Sequence, residues 1–168
     1  VRARFPWHKQ LHTRVMIEVT RDEPIIRPAP VRSVIHEYGE PFDATIATYS
    51  LEEIIAEKLR AILQHQIALE ARGWSRSRAR DYYDLWRVLA AYGHALDFTD
   101  FRTLLATKCA VRGITLDERS DFFAEPMRSH VKTTWNQWLG PLVTDLPPFD
   151  VVEQALRPQI TALVRSTR

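Results

Sequence analysis

Apolar residues recur at helical spacing along 51–70, where Leu51, Ile54, Ile55, Leu59, Ile62 and Leu69 gather on one side of a helix. Ser50 followed by Glu53 has the form of a capping box, which predicts that this helix starts at Leu51. Lys58 projects into the middle of the stripe, whereas Glu52, Glu53, Glu57 and Arg60 lie outside it. A second helical pattern over 77–92 places Leu85, Val88, Leu89 and Tyr92 on one face. Asp81 falls on that face, and Asp84 lies near its edge.

A charge on an apolar stripe needs a partner, because burying it alone costs several kcal/mol or shifts its pKa until it neutralises. Two readings follow. Lys58 and Asp81 form a structural ion pair between helices, or both line a polar cavity that takes an anion or a metal. The pattern alone leaves both open.

Before Tyr49 the pattern is that of short strands. The run 14–20 is dominated by Val15, Met16, Ile17 and Val19, with Glu18 on the opposite face: a solvent-facing residue, or a carboxylate presented into a cleft. Strands at about 31–38 and 44–49 could pair with it, and Pro24, Pro28 and Pro30 suit sheet edges. After Ser50 everything reads helical: 51–70, 77–92, 99–111, 117–139 with a break at Pro126, and 150–165. Asp150 with Glu153 repeats the capping-box form, and Pro158 predicts a kink or interruption. Trp135, Trp138, Leu139, Leu142 and Val143 read as core packing. The fold class is therefore α+β, with a β region over 1–49 and a helical domain over 50–168.

Composition narrows the function only a little. The chain has 168 residues, 45% of them hydrophobic, with a net charge of +2, which permits nucleic-acid contact without arguing for it. One basic cluster stands out at Arg72, Arg76, Arg78 and Arg80. The single cysteine, Cys109, excludes an internal disulfide framework and suits a reducing cytoplasm. No apolar run reaches membrane-spanning length. Phosphate-binding glycine loops, H-E-x-x-H and C-x-x-C are absent, and the six histidines show no metal-ligand spacing. His65 shares the stripe of Lys58 and reads first as a core or rim histidine, second as a cavity residue.

SLEEIIAEKLRAIL followed by RARDYYDLWRVL resembles the C-terminal motif pair of the AbiEii/AbiGii toxin nucleotidyltransferases of bacterial abortive-infection and toxin–antitoxin systems. The likeness rests on Glu53, Lys58, Leu59 and Ala61 in the first motif, and on Arg78, Arg80, Asp81, Asp84 and Leu85 in the second. It implies a remnant nucleotidyltransferase-like sheet followed by a helical bundle. It also implies a reaction that moves a nucleotide from a nucleoside triphosphate to an acceptor such as RNA, a tRNA end among the candidates, with Mg²⁺ as cofactor and a cognate antitoxin as partner. In that family a Gly-Ser motif and an Asp-x-Asp pair hold metal and triphosphate, with a third carboxylate from a later strand. Glu18 matches that third carboxylate and is the implied metal ligand; the other two motifs are not in this sequence. With Val1 rather than Met at its start, the chain resembles the C-terminal two-thirds of such a protein, and one glutamate cannot hold the metals of a two-metal transfer.

The resemblance implies that Lys58 grips the triphosphate. Asp81 would orient Lys58 or act as base, Arg78 and Arg80 would face phosphate or RNA, and Asp84 and Glu53 would complete the substrate side. Straight antiparallel helices would set Lys58 level with residue 90, roughly 13 Å from Asp81. For the two to meet, the first helix must end or bend near 64–66, or the connector over 71–77 must fold back. The competing reading is a non-catalytic helical module that binds an antitoxin or RNA through its arginine cluster.

Overall fold

A computed structural model describes residues 2–3, 13–14, 17, 19–20, 23–35, 39, 43–73, 76–117 and 120–165. Among the described residues four short strands come first: β1 (Arg2–Ala3), β2 (Thr13–Arg14), β3 (Val31–Ser33) and β4 (Thr45–Ala47). Five helices follow among the described residues: α1 (Leu51–Arg72), α2 (Ala79–Tyr92), α3 (Phe101–Val111), α4 (Glu125–Leu139) and α5 (Phe149–Arg165), with a single 3₁₀ turn, Gly93–Ala95, after α2. β1 pairs with β2 and β3 with β4, both antiparallel, the second with Val31 opposite Ala47. The class is α+β, as the pattern predicted.

β3 and β4 are shorter than the strands expected over 31–38 and 44–49 and pair with each other instead of with the 14–20 run, much of which lies outside the described residues. Val31, Val34, Ile35 and Ile46 are exposed, so the β3–β4 ribbon has no packed face to extend it. Glu18 lies outside the described residues.

α1 begins as the sequence predicts. Ser50 is its N-cap, and its Oγ accepts from the Glu53 N–H at 3.2 Å. The rest of the capping box is diverted, because the Glu53 carboxylate turns to the incoming chain and accepts from the N–H groups of Ile26 (2.6 Å) and Arg27 (2.7 Å). Glu53 is fully buried, which corrects its placement outside the apolar stripe. The reason is that α1 is covered on two sides. Ile55, Leu59 and Ile62 belong to the predicted stripe, while Glu53, Ala56 and Glu57 face α3 and the 23–27 segment.

On that second side Lys108 of α3, 1% exposed, reaches Glu53 at 2.5 Å, Glu57 at 3.0 Å and the Pro24 carbonyl at 2.6 Å. Arg27 adds two bonds, to the carbonyls of Asp97 and Thr99. The remaining core lies among α1, α2, α4 and α5. The Tyr82 hydroxyl donates to the Phe122 carbonyl there, its ring packs on Phe123 and Phe149, and Trp135 donates to the Pro147 carbonyl at 2.8 Å.

Four further predictions need correction. The helix expected over 117–139 begins only at Glu125, because Pro126 sits in its first turn, where a missing N–H is harmless. Pro158 neither ends nor interrupts α5; it lies on the exposed face, where the carbonyl it leaves unbonded meets water. α5 begins at Phe149, with Asp150 inside its first turn, and Glu153 pairs with Arg128 and Arg157 instead of capping. Tyr92, Trp138 and Leu142, read as apolar-face or core residues, are exposed.

Replacing Glu53 by Ala leaves Lys108 buried beside one remaining carboxylate and orphans two backbone N–H groups. A destabilisation of about 3–5 kcal/mol is expected, read from the shift of the urea unfolding midpoint.

Candidate functional site

The site is built across the α1–α2 contact. α1 runs unbroken to Arg72 and is closed by Gly73, whose φ of 73° favours glycine and whose N–H donates to the Leu69 carbonyl at 2.8 Å. α2 does not start level with that end. Arg78 touches His65, so the connector has led the chain back along α1 by seven residues, about 10 Å. Of the two routes by which Lys58 could reach Asp81, the structure takes the folded-back connector. Ser77 secures the start of α2, accepting from the Ala79 N–H at 3.2 Å and sharing a hydrogen bond with Thr134 of α4 at 2.6 Å.

With that register Lys58 meets both aspartates, its Nζ lying 2.6 Å from Asp84 Oδ2 and 3.2 Å from Asp81 Oδ1. Arg78 holds the other oxygen of Asp81 at 3.0 Å. Burial works against the Lys58 charge, but the hydrogen bond it donates to Asp84 and the charges of both aspartates outweigh it and hold the ammonium above its ordinary pKa. The cluster is not sealed: the side chain of Lys58 is 21% exposed and that of Asp84 47%.

His65 extends the network. Its Nδ1 lies 3.0 Å from the Ala61 carbonyl and so carries the proton, which leaves Nε2 to accept from Arg78. Burial and the neighbouring guanidinium hold this imidazole below its ordinary pKa, against the pull of the Ala61 carbonyl. It is the rim histidine the stripe predicted.

The remaining candidates are distributed differently. Arg78 is engaged by Asp81 and His65. Arg80 points away and lies over the Trp138 ring, 5.6 Å from its centroid. Glu53 belongs to the sealed Lys108 cluster and presents no surface to a substrate, which corrects its expected place on the substrate side. Lys108 itself escaped the sequence reading. The signal was present, since it lies on the stripe of Phe101, Leu104 and Leu105 just as Lys58 lies on its own. Cys109 is buried and its thiol is pushed up to about 11 by that burial, so it is a protonated packing group. A cleft of about 590 Å³ opens elsewhere, between Asp117 and 120–123 ahead of α4, Arg102 of α3 and the second half of α5, and shares no residue with the Lys58 cluster.

The donor set does not fit Mg²⁺. A magnesium ion asks for carboxylate oxygens free to enter an octahedral shell. Both oxygens of Asp81 and one of Asp84 already accept from Lys58 or Arg78, and no group of three or more His, Cys, Asp or Glu side chains suited to a metal occurs among the described residues.

A lysine bridging two helices to an aspartate pair, on the motif pair quoted above, is the geometry against which the comparisons stand. The family model of the nucleotidyl transferase AbiEii toxin, of type IV toxin–antitoxin systems, matches residues 1–158, and the chain belongs to that family. No curated protein and no solved structure matches it. No helix among the described residues is long and apolar enough to cross a membrane.

Because the folded-state pKa of His65 is depressed, its neutral form contributes stability above pH about 6.5 that is lost as the pH falls through the folded value. Urea unfolding at about pH 7.5 and about pH 5.5 is expected to show a larger loss in the wild type than in His65→Gln. Equal losses would mean that the imidazole carries no such linkage.

Proposed function

We propose that this chain serves nucleotidyl transfer from a nucleoside triphosphate to an RNA acceptor, with Lys58 as the group that grips the triphosphate. Family membership supports the reaction class. The observation that carries the assignment to Lys58 is the unequal hold of its two partners. Asp81 is fixed from behind by Arg78, whereas Asp84 is nearly half exposed. An exposed ion pair is worth about 0–1 kcal/mol, so an incoming phosphate can replace Asp84 at small cost while Asp81 keeps the ammonium aimed and protonated.

An acceptor hydroxyl attacks the α-phosphorus and gives its proton to solvent, the bond to the bridging oxygen breaks, and pyrophosphate leaves. Lys58 neutralises charge on the oxygens of that leaving group. Both oxygens of Asp81 are engaged, which favours orientation of Lys58 over action as a base. The described carboxylates do not fit a metal, and no step here passes through one.

A purely structural ion pair is the alternative, and Lys58→Met separates the two. The variant is expected to unfold within about 1 kcal/mol of the wild type and to bind nucleoside triphosphate about 10-fold to 100-fold more weakly by calorimetric titration. Unchanged nucleotide binding, with equal or higher stability, would assign Lys58 to packing alone.

A further inference from the structure

Arg27, Arg60, Arg78, Arg128 and Arg157 each pair with a carboxylate, but no carboxylate partner of Arg80 occurs among the described residues. Its described contact is the face of Trp138, at 5.6 Å. That indole closes α4 and is 43% exposed, although its neighbours Trp135 and Leu139 are almost wholly buried. A large aromatic left in water beside an unneutralised guanidinium is what a base and its phosphate need. The same face of α2 supports this. Arg87, also exposed and without a described carboxylate partner, lies seven residues from Arg80 and therefore two turns along, about 10 Å away. Asp84, one turn from Arg80, is the residue that reaches Lys58.

We infer that Arg80 and Trp138 form a platform for an unpaired base of single-stranded RNA, with Arg80 and Arg87 taking phosphates along the strand. Stacking on one accessible indole requires a base free of its duplex, which selects single strand over double. The platform lies one helical turn from Asp84, the residue that reaches Lys58. In this respect it rests on the reading that Lys58 serves transfer to RNA, and it specifies the acceptor as a frayed or single-stranded segment.

Binding of a fluorescent single-stranded RNA 12-mer and of its duplex is measured by anisotropy across a salt series, with the full chain and no nucleotide present; the outcome is thus independent of the Lys58 titration. Trp138→Ala is expected to weaken single-strand binding about 10-fold and Trp138→Phe to restore most of it. Arg80→Ala is expected to weaken binding and to lower the salt slope by about one. Circular dichroism checks that the variants are folded, as is expected for changes at exposed positions. Equal affinity for duplex and single strand, or Trp138→Ala within about twofold of wild type, would overturn the platform. So would absence of RNA binding at low salt, which would leave the patch to a protein partner.

Discussion

A lysine ammonium with 1% of its surface exposed can sit in a helix interface only if each of its protons has an acceptor. Lys108 meets that demand with Glu53, Glu57 and the Pro24 carbonyl, and the Tyr49 ring lies 5.5 Å from it. Glu53 is equally committed, with one oxygen on Lys108 and the other accepting two backbone N–H groups. The consequences are long-range. α3 can dock on α1 in only one register, and the Glu23–Arg27 segment, which leads from the strands into the bundle, is bonded to the same carboxylate. Burial of Glu53 works against its charge, but the Lys108 bond and the two N–H donors outweigh it and hold the carboxyl below its usual range. Ionisation of the pair and the closed structure therefore sustain each other.

The Lys58 cluster uses the same residue types to a different end. There too one lysine meets two carboxylates across two helices, yet water reaches it. In the closed cluster the ammonium lies against two carboxylates inside the helix interface, and a ligand would have to break that interface to enter. In the open one an exposed aspartate can be displaced while its neighbour stays clamped by Arg78. The two lysines differ in solvent access more than in chemistry, and the function proposed for Lys58 rests on that difference.

Much of this was legible in the sequence, because a charge at a core position of a helix has few permitted explanations. Periodicity placed Lys58 and Asp81 on apolar faces of successive helices and located four of the five helices within two residues, while α4 starts eight residues later than the pattern suggests. Glu53 and Lys108 were harder, because a single apolar stripe was taken as the buried surface of α1, whereas a helix packed on two sides buries polar positions as well. Pro126 and Pro158 misled for opposite reasons. The first starts a helix and was read as breaking one, and the second rests on a solvated face that tolerates it. Trp138 counted as core by residue type, and only the packing of α4 shows it exposed beside Arg80.

Register is the property that sequence spacing alone could not supply. Two helices joined by a minimal turn would carry Lys58 past Asp81 by roughly two helical turns. The chain avoids this by overshooting: α1 continues beyond His65 to Arg72, and the connector returns over that distance before α2 begins. Slippage of α2 by one turn, about 5.4 Å, would break the contacts to both aspartates at once. What prevents it lies at the opposite end of the contact from Lys58. The Gly73 cap fixes where α1 stops, Ser77 ties the start of α2 to Thr134 of α4, and Arg78 is held between His65 and Asp81. The guanidinium that aims Asp81 is thus the same group that sets the register, which couples the position of α2 to the direction in which Lys58 points.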